Sequence, residues 1–230
     1  MTTITPDVRA AMIAAAERQL VASPGNEIAT RAVCEAVGVT QPVLYRLFGD
    51  KDGLLDALAD DGLRRYAEQK AALAQTGDPV ADLRTGWDDH MVFARDNPAL
   101  YQLMFAPRPR SHAQTRQRIM ELLEASLLRC SAIGALRIAP HLAAQLILPA
   151  NIGLALSLVA QPELFDDPGL SHRMRDAVFA AVLASPAVVE KEASVAAAAT
   201  RLRSQLAVSG TDVLEPAETA LLDRWLDRLS

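Results

Sequence analysis

Gln41, Pro42, Val43 and Tyr45 sit just after a glycine-bearing turn, and Lys51 follows one helical stretch later, within ATRAVCEAVGVTQPVLYRLFGDK at residues 29–51. These residue types can read the major groove of DNA. A glutamine amide pairs bidentately with adenine, apolar groups meet a thymine methyl, and Tyr45 and Lys51 can hold phosphates flanking the groove. Competing chemistry is not visible. The four histidines, His90, His112, His141 and His172, fall on separate predicted segments without metal-ligand spacing, and no glycine-rich phosphate loop is present. No catalytic residue, metal or cofactor is expected, and the chain does not read as an enzyme.

Two short helices must position those side chains. Val33, Cys34 and Val37 recur at helical spacing, with Thr30 as the expected N-cap. Gly38 can adopt the left-handed conformation that ends a helix. Gly38, Val39 and Thr40 then form a tight turn, Thr40 caps the next helix, and Pro42 is tolerated in its first turn. Leu44 and Phe48 lie four residues apart and pack inward, leaving Gln41, Pro42, Val43 and Tyr45 outward. An ordinary helical hairpin in a helical adaptor or ligand-binding protein shares this turn, so geometry alone leaves both readings open.

Gly38, Val39, Leu44, Tyr45, Phe48, Lys51 and Leu54 together resemble the signature of the tetracycline-repressor (TetR) family of transcriptional regulators. The resemblance covers residues 6–58. Thr30-Arg31 and Gln41-Pro42 match positions that touch DNA in the family, which implies base reading by Arg31, Gln41 and Pro42. Phosphate contacts for Tyr45 and Lys51 are implied as well, with Thr30, Thr40 and Val43 completing the DNA-facing set. Val43 and Leu47 depart from the pattern, standing where relatives often carry Thr or Ser and a histidine. Polar readout is lost there, so the operator does not transfer. The resemblance implies an all-α fold: an N-terminal helix-turn-helix DNA-binding domain followed by a C-terminal helical bundle for ligand binding and dimerisation. The expected protein is a homodimeric repressor on an inverted-repeat operator in double-stranded DNA, released by a small hydrophobic effector.

Charge limits how such a protein could bind. The formal net charge is -5, and five basic side chains are offset by five acidic ones through Lys51. Nonspecific coating of nucleic acid is excluded, and affinity must lean on dimerisation and positioned contacts. Cys34 and Cys130 lack a CxxC or His-rich neighbourhood and read as buried thiols. The N-terminus shows no signal-peptide pattern, which places the chain in the cytoplasm.

The remaining stretches read as helices around a body. A first helix is expected over residues 6–22 with Thr5 as its cap, and a long one over 51–73 linking the two domains. The domains then fall at 1–52 and 76–230, with 53–75 as the link. Leu83, Trp87, His90, Met91 and Ala94 share one helical face, and 99–105 adds Tyr101, Met104 and Phe105. With Leu123 and Asn151 these bulky groups form the expected pocket: Trp87, His90, Met91, Tyr101, Met104, Phe105, Leu123 and Asn151. A histidine in such a stripe is more often a satisfied core residue than a ligand-holding group, and both readings of His90 stand. Five arginines against two glutamates over 98–130 read as a solvated face or an attraction for anions. Residues 106–111 form a proline-stiffened loop, and 113–133 a further helix.

Residues 142–160 carry no charge, yet Gln145, Pro149, Asn151 and Ser157 interrupt them and no anchors flank them. A membrane span is rejected. A buried helix kinked at Pro149 is expected instead, paired with a helix over 171–184 capped by Ser171. Leu156, Met174, Val178 and Val182 are then the expected dimer contacts. Two more helices, over about 187–208 and 216–229, have no assigned role.

Overall fold

Alanine and leucine favour helix along most of the chain, and the computed structural model, which describes residues 6–23, 27–106, 113–184, 195–211 and 213–229, is built of helices joined by short turns and loops. In order these form α1 (Pro6–Ala22), α2 (Thr30–Val37), α3 (Gln41–Phe48), α4 (Lys51–Ala71), α5 (Pro79–Asp96), α6 (Pro98–Phe105), α7 (Ala113–Ala132), α8 (Pro140–Ala160), α9 (Leu170–Val182), α10 (Val195–Ser209) and α11 (Pro216–Leu229). The all-α expectation holds. One isolated antiparallel bridge, Leu136 to Leu183, pins the segments after α7 and α9 together. The expected Thr5 cap, the break at 24–26, the loop at 107–111 and the stretch 187–194 lie outside the described residues.

Two helix starts differ from expectation. Thr30 is already helical and Ala29 holds the cap position without a side-chain bond; Gln19 Oε1 accepts from the Ala29 N–H instead, at 3.1 Å. Thr40 occupies its cap position but its hydroxyl accepts nothing from the helix. Asp50 does cap α4, taking the Gly53 N–H at 2.6 Å. That corner is tight. A Cβ on Gly53 would stand 1.9 Å from the Phe48 carbonyl oxygen, so only glycine lets α3 and α4 meet there.

Packing joins the first four helices to the bundle. Met12, Ala16, Leu20, Val33, Leu44, Leu54 and Leu58 are buried in one cluster that continues through Leu63 and Tyr66 to Leu100, Tyr101 and Met104. A single apolar core therefore runs from the amino-terminal unit along α4 into α6. Arg65 of α4 reinforces it by holding both Glu17 oxygens of α1 at 2.8 Å. A second cluster gathers Leu83, Trp87, Leu127, Cys130, Ile147, Phe179 and Val182 between α5, α7, α8 and α9.

Helix α8 is long and apolar enough, by length and composition, to cross a bilayer. Here it packs in the bundle. Ala143, Ala144, Ile147, Asn151, Leu154 and Ala155 turn inward, the helix runs unbroken through Pro149, and Leu142 and Leu146 remain exposed. Helix α9 starts at Leu170 after Gly169, and Ser171 does not cap it. The Ser171 hydroxyl is engaged elsewhere, accepting from Trp87 Nε1 at 3.1 Å.

The two carboxy-terminal helices lie on the body. Ser204 of α10 donates to Ser131 of α7 at 2.8 Å with both side chains buried, and Gln205 reaches the Ala132 carbonyl at 3.0 Å. Arg203 then binds Asp223 and Asp227 of α11.

Candidate nucleic-acid interface and ligand cavity

The turn before α3 forms for the reason its glycine suggests. Gly38 takes φ 72° and ψ 32° and closes α2 with its N–H on the Glu35 carbonyl, while the Val39 N–H takes that of Cys34. Leu44 is fully buried beneath α3. At about 100° per residue, Gln41, Tyr45, Pro42 and Arg46 fall on one arc opposite Leu44 and Leu47. All four are exposed, Tyr45 at 47%. Thr40 and Lys51 are exposed at either end, whereas Val43 and Thr30 are half-buried. Arg46 was missing from the sequence reading, although its position on this arc could have disclosed it.

Arg31 is exposed on α2, but its Nε already holds Glu35 at 2.8 Å. The neighbouring carboxylate bonds to the guanidinium and raises its pKa further. Any base contact by Arg31 must therefore share or displace Glu35.

Inside the bundle, His90 is a satisfied core histidine. Its Nδ1 lies 2.5 Å from the Tyr66 hydroxyl and its Nε2 2.6 Å from that of Tyr101, with Phe105 edge-on to the ring. Both nitrogens are thus engaged. Burial, with Lys70 nearby, pushes its pKa down to about 3, so the ring is neutral. Lys70 donates to the Gly86 carbonyl at 2.7 Å, and burial lowers it to about 8. Trp87 belongs to the other core cluster, edge-on to Phe179. Met91 packs against both clusters and Leu123 against the second. Tyr101 and Met104 are fully buried in the first. Trp87 and Leu123 thus lie with one core and Tyr101, Met104 and Phe105 with the other, because the face from Leu83 to Ala94 turns toward different neighbours along its length.

An open cavity of about 310 Å³ lies instead between α6, α7 and α8. Phe105, Ile119, Met120, Leu148 and Ile152 supply apolar walls, and Arg116 and Gln117 the polar ones. Of the expected set only Phe105 borders it. Arg116 Nη2 donates to the Met104 carbonyl at 3.0 Å, while its Nε is buried with no hydrogen-bond partner among the described residues. Asn151, one of the expected pocket residues, is buried with its Oδ1 unpartnered among the described residues.

The dimer expectation is partly redirected. Val182 is fully buried among α5, α8 and α9 and cannot reach a partner. Leu156 and Val178 are half-buried against the protomer's own cores, and Met174 is exposed. Both cysteines are buried, and burial raises their thiols, Cys130 to about 11.

The chain is all-α, with a helix-turn-helix in its first four helices joined by a shared core to a larger bundle. Residues 12–58 match the profile of the bacterial regulatory proteins of the tetR family. The amino-terminal unit, α1 to α4, is thus similar to the DNA-binding unit of that family. Solved structures extend the likeness of fold. SmeT, the repressor of the Stenotrophomonas maltophilia multidrug efflux pump SmeDEF, is 20% identical with a TM-score of 0.60, over 80% of this chain and 93% of its own. FadR, the fatty acid degradation regulator from Bacillus halodurans, gives 18% and 0.58 over 77% and 97%. NalD, the secondary repressor of the MexAB-OprM pump in Pseudomonas aeruginosa, gives 19% and 0.54 over 77% and 96%. No curated protein sequence matches the chain.

Proposed function

We propose that this protein is a cytoplasmic transcriptional repressor that binds an inverted-repeat operator as a homodimer and leaves it on taking up a small hydrophobic molecule. Residues 1–52 read DNA, 53–75 link, and 76–230 dimerise and bind the effector. The observation that carries this reading is the exposed arc of Gln41, Pro42, Tyr45 and Arg46 on a helix set by the Gly38 turn. Gln41 and Pro42 touch bases, joined by Arg31 once it leaves Glu35. Thr30, Thr40, Tyr45 and Lys51 hold the backbone, and Val43 adds apolar contact.

Dimerisation uses the outer faces of α8 and α9, where Leu142, Leu146 and Met174 are exposed. Support for repression and an effector comes from SmeT and NalD, both repressors, and from the SmeT–triclosan complex. The test is fluorescence anisotropy on the DNA upstream of the chain's own coding region at several salt concentrations. Tight binding confined to an inverted repeat supports the reading. Affinity equal on scrambled DNA at every salt concentration sinks it in favour of a helical adaptor.

A further inference from the structure

We infer that the cavity between α6, α7 and α8 takes a small monocarboxylate with an apolar body, its carboxylate held by Arg116; this rests on the effector-responsive reading above. A guanidinium is a permanent cation with donors in a planar fork. Here Nη2 is tied to the Met104 carbonyl, a neutral acceptor, and Nε is buried with no partner among the described residues. An unmet, charged N–H removed from water is costly, and a carboxylate approaching side-on satisfies it while supplying the opposite charge. A neutral alcohol would meet the hydrogen bond and leave the cation uncompensated.

The walls decide the rest of the molecule. Phe105, Ile119, Met120, Leu148 and Ile152 offer no hydrogen bond, so the body must be apolar. At about 310 Å³ the space is at the lower end of ligand cavities, which run from roughly 300 to 1,000 Å³. A compact aromatic acid or a short aliphatic one suits it. The site also touches the route to DNA, because the carbonyl that Arg116 holds is that of Met104, whose side chain lies against Gly62 of α4.

The experiment is calorimetric titration of the full-length protein with octanoate, 1-octanol and octylamine, alongside operator anisotropy. Octanoate should bind, 1-octanol about tenfold more weakly or worse, and octylamine not at all. Arg116→Met should erase the preference for octanoate. Because that change also removes the Met104 bond, Ile152→Trp serves as a second variant: it fills the cavity without touching Arg116 and should abolish binding of both octanoate and octanol. Equal affinity for octanoate and octanol, octanoate binding unchanged by Ile152→Trp, or no octanoate binding by the wild type each overturns the proposal. An operator bound by the free protein while octanoate is ignored defeats the carboxylate assignment alone. Octanoate bound through Arg116 by a protein with no operator defeats the regulator reading alone.

Discussion

Gly62 of α4 and Met104 of α6 approach so closely that a Cβ added to Gly62 would lie 2.9 Å from the Met104 sulfur. Both residues are buried, Met104 completely. The absence of a side chain at 62 is what lets the long helix lie flat on the short one. Gly62→Val should force the two apart, with a loss of about 1 to 3 kcal/mol in urea unfolding. Gly62→Ala should cost less, since the methionine end can swing aside. A valine variant as stable as wild type would show that the approach is slack.

Reading of bases and holding of phosphates should separate in mutants. Gln41→Ala should reduce discrimination among operator variants by about 1 to 3 kcal/mol. Arg46→Ala and Lys51→Ala should weaken binding to all sequences alike, each lowering the salt slope by about 0.9. Anisotropy titrations on matched and single-mismatch operators distinguish the two patterns. Selectivity unaltered in Gln41→Ala would remove that residue from base reading.

Protonation of His90 should make the fold sensitive to acid. Its folded pKa, about 3, lies below the unfolded value near 6.5. Only the unfolded chain takes up the proton between those values. The stabilisation is therefore complete above about pH 6.5 and declines as pH falls toward 3, by up to roughly 1.4 kcal/mol per unit. Urea midpoints measured from pH 7.5 down to 4.5 should fall, and His90→Gln should flatten part of that slope. An identical slope in the variant would mean that carboxylates elsewhere carry the whole effect.

The exposed outer face of α8 separates assembly from folding. Leu142→Glu with Leu146→Glu should give folded monomers in sedimentation, since both side chains are about half exposed. Val182→Glu should instead unfold the protomer by placing a charge in the second core. Folded dimers in the double variant would move the interface elsewhere.

Much of this architecture was legible because its punctuation is local. Gly38, Pro42, Pro79 and Pro98 announce the helix boundaries found at those residues. Caps were less legible, because a hydroxyl has several possible partners. Ser171 serves the indole of Trp87, and the Thr40 hydroxyl accepts nothing from its helix. The cavity between α6, α7 and α8 was legible only in Phe105, for a different reason. Bulk suggested Trp87 and His90, yet bulky groups close space by packing, and the opening lies where smaller apolar groups surround an arginine. Arg116 sits in a run of arginines that reads as a solvated face, and its half-buried place against α6 and α8 depends on neighbours that no local pattern encodes.

The corner between Phe48 and Gly53 has a mechanical consequence. With no space for even a methyl group between the Phe48 carbonyl and Gly53, the end of α3 rests directly on the start of α4, and a motion that keeps this contact carries both helices. The two behave as a bent lever whose long arm extends from that corner to Gly62, nine residues or about 14 Å at 1.5 Å per residue. A tilt of roughly 10° about the Gly62 contact would carry the corner some 2 Å, by that same arm. Gln41 and Tyr45 would move as one piece, so the spacing of two paired reading heads would change while the shape of each stayed the same.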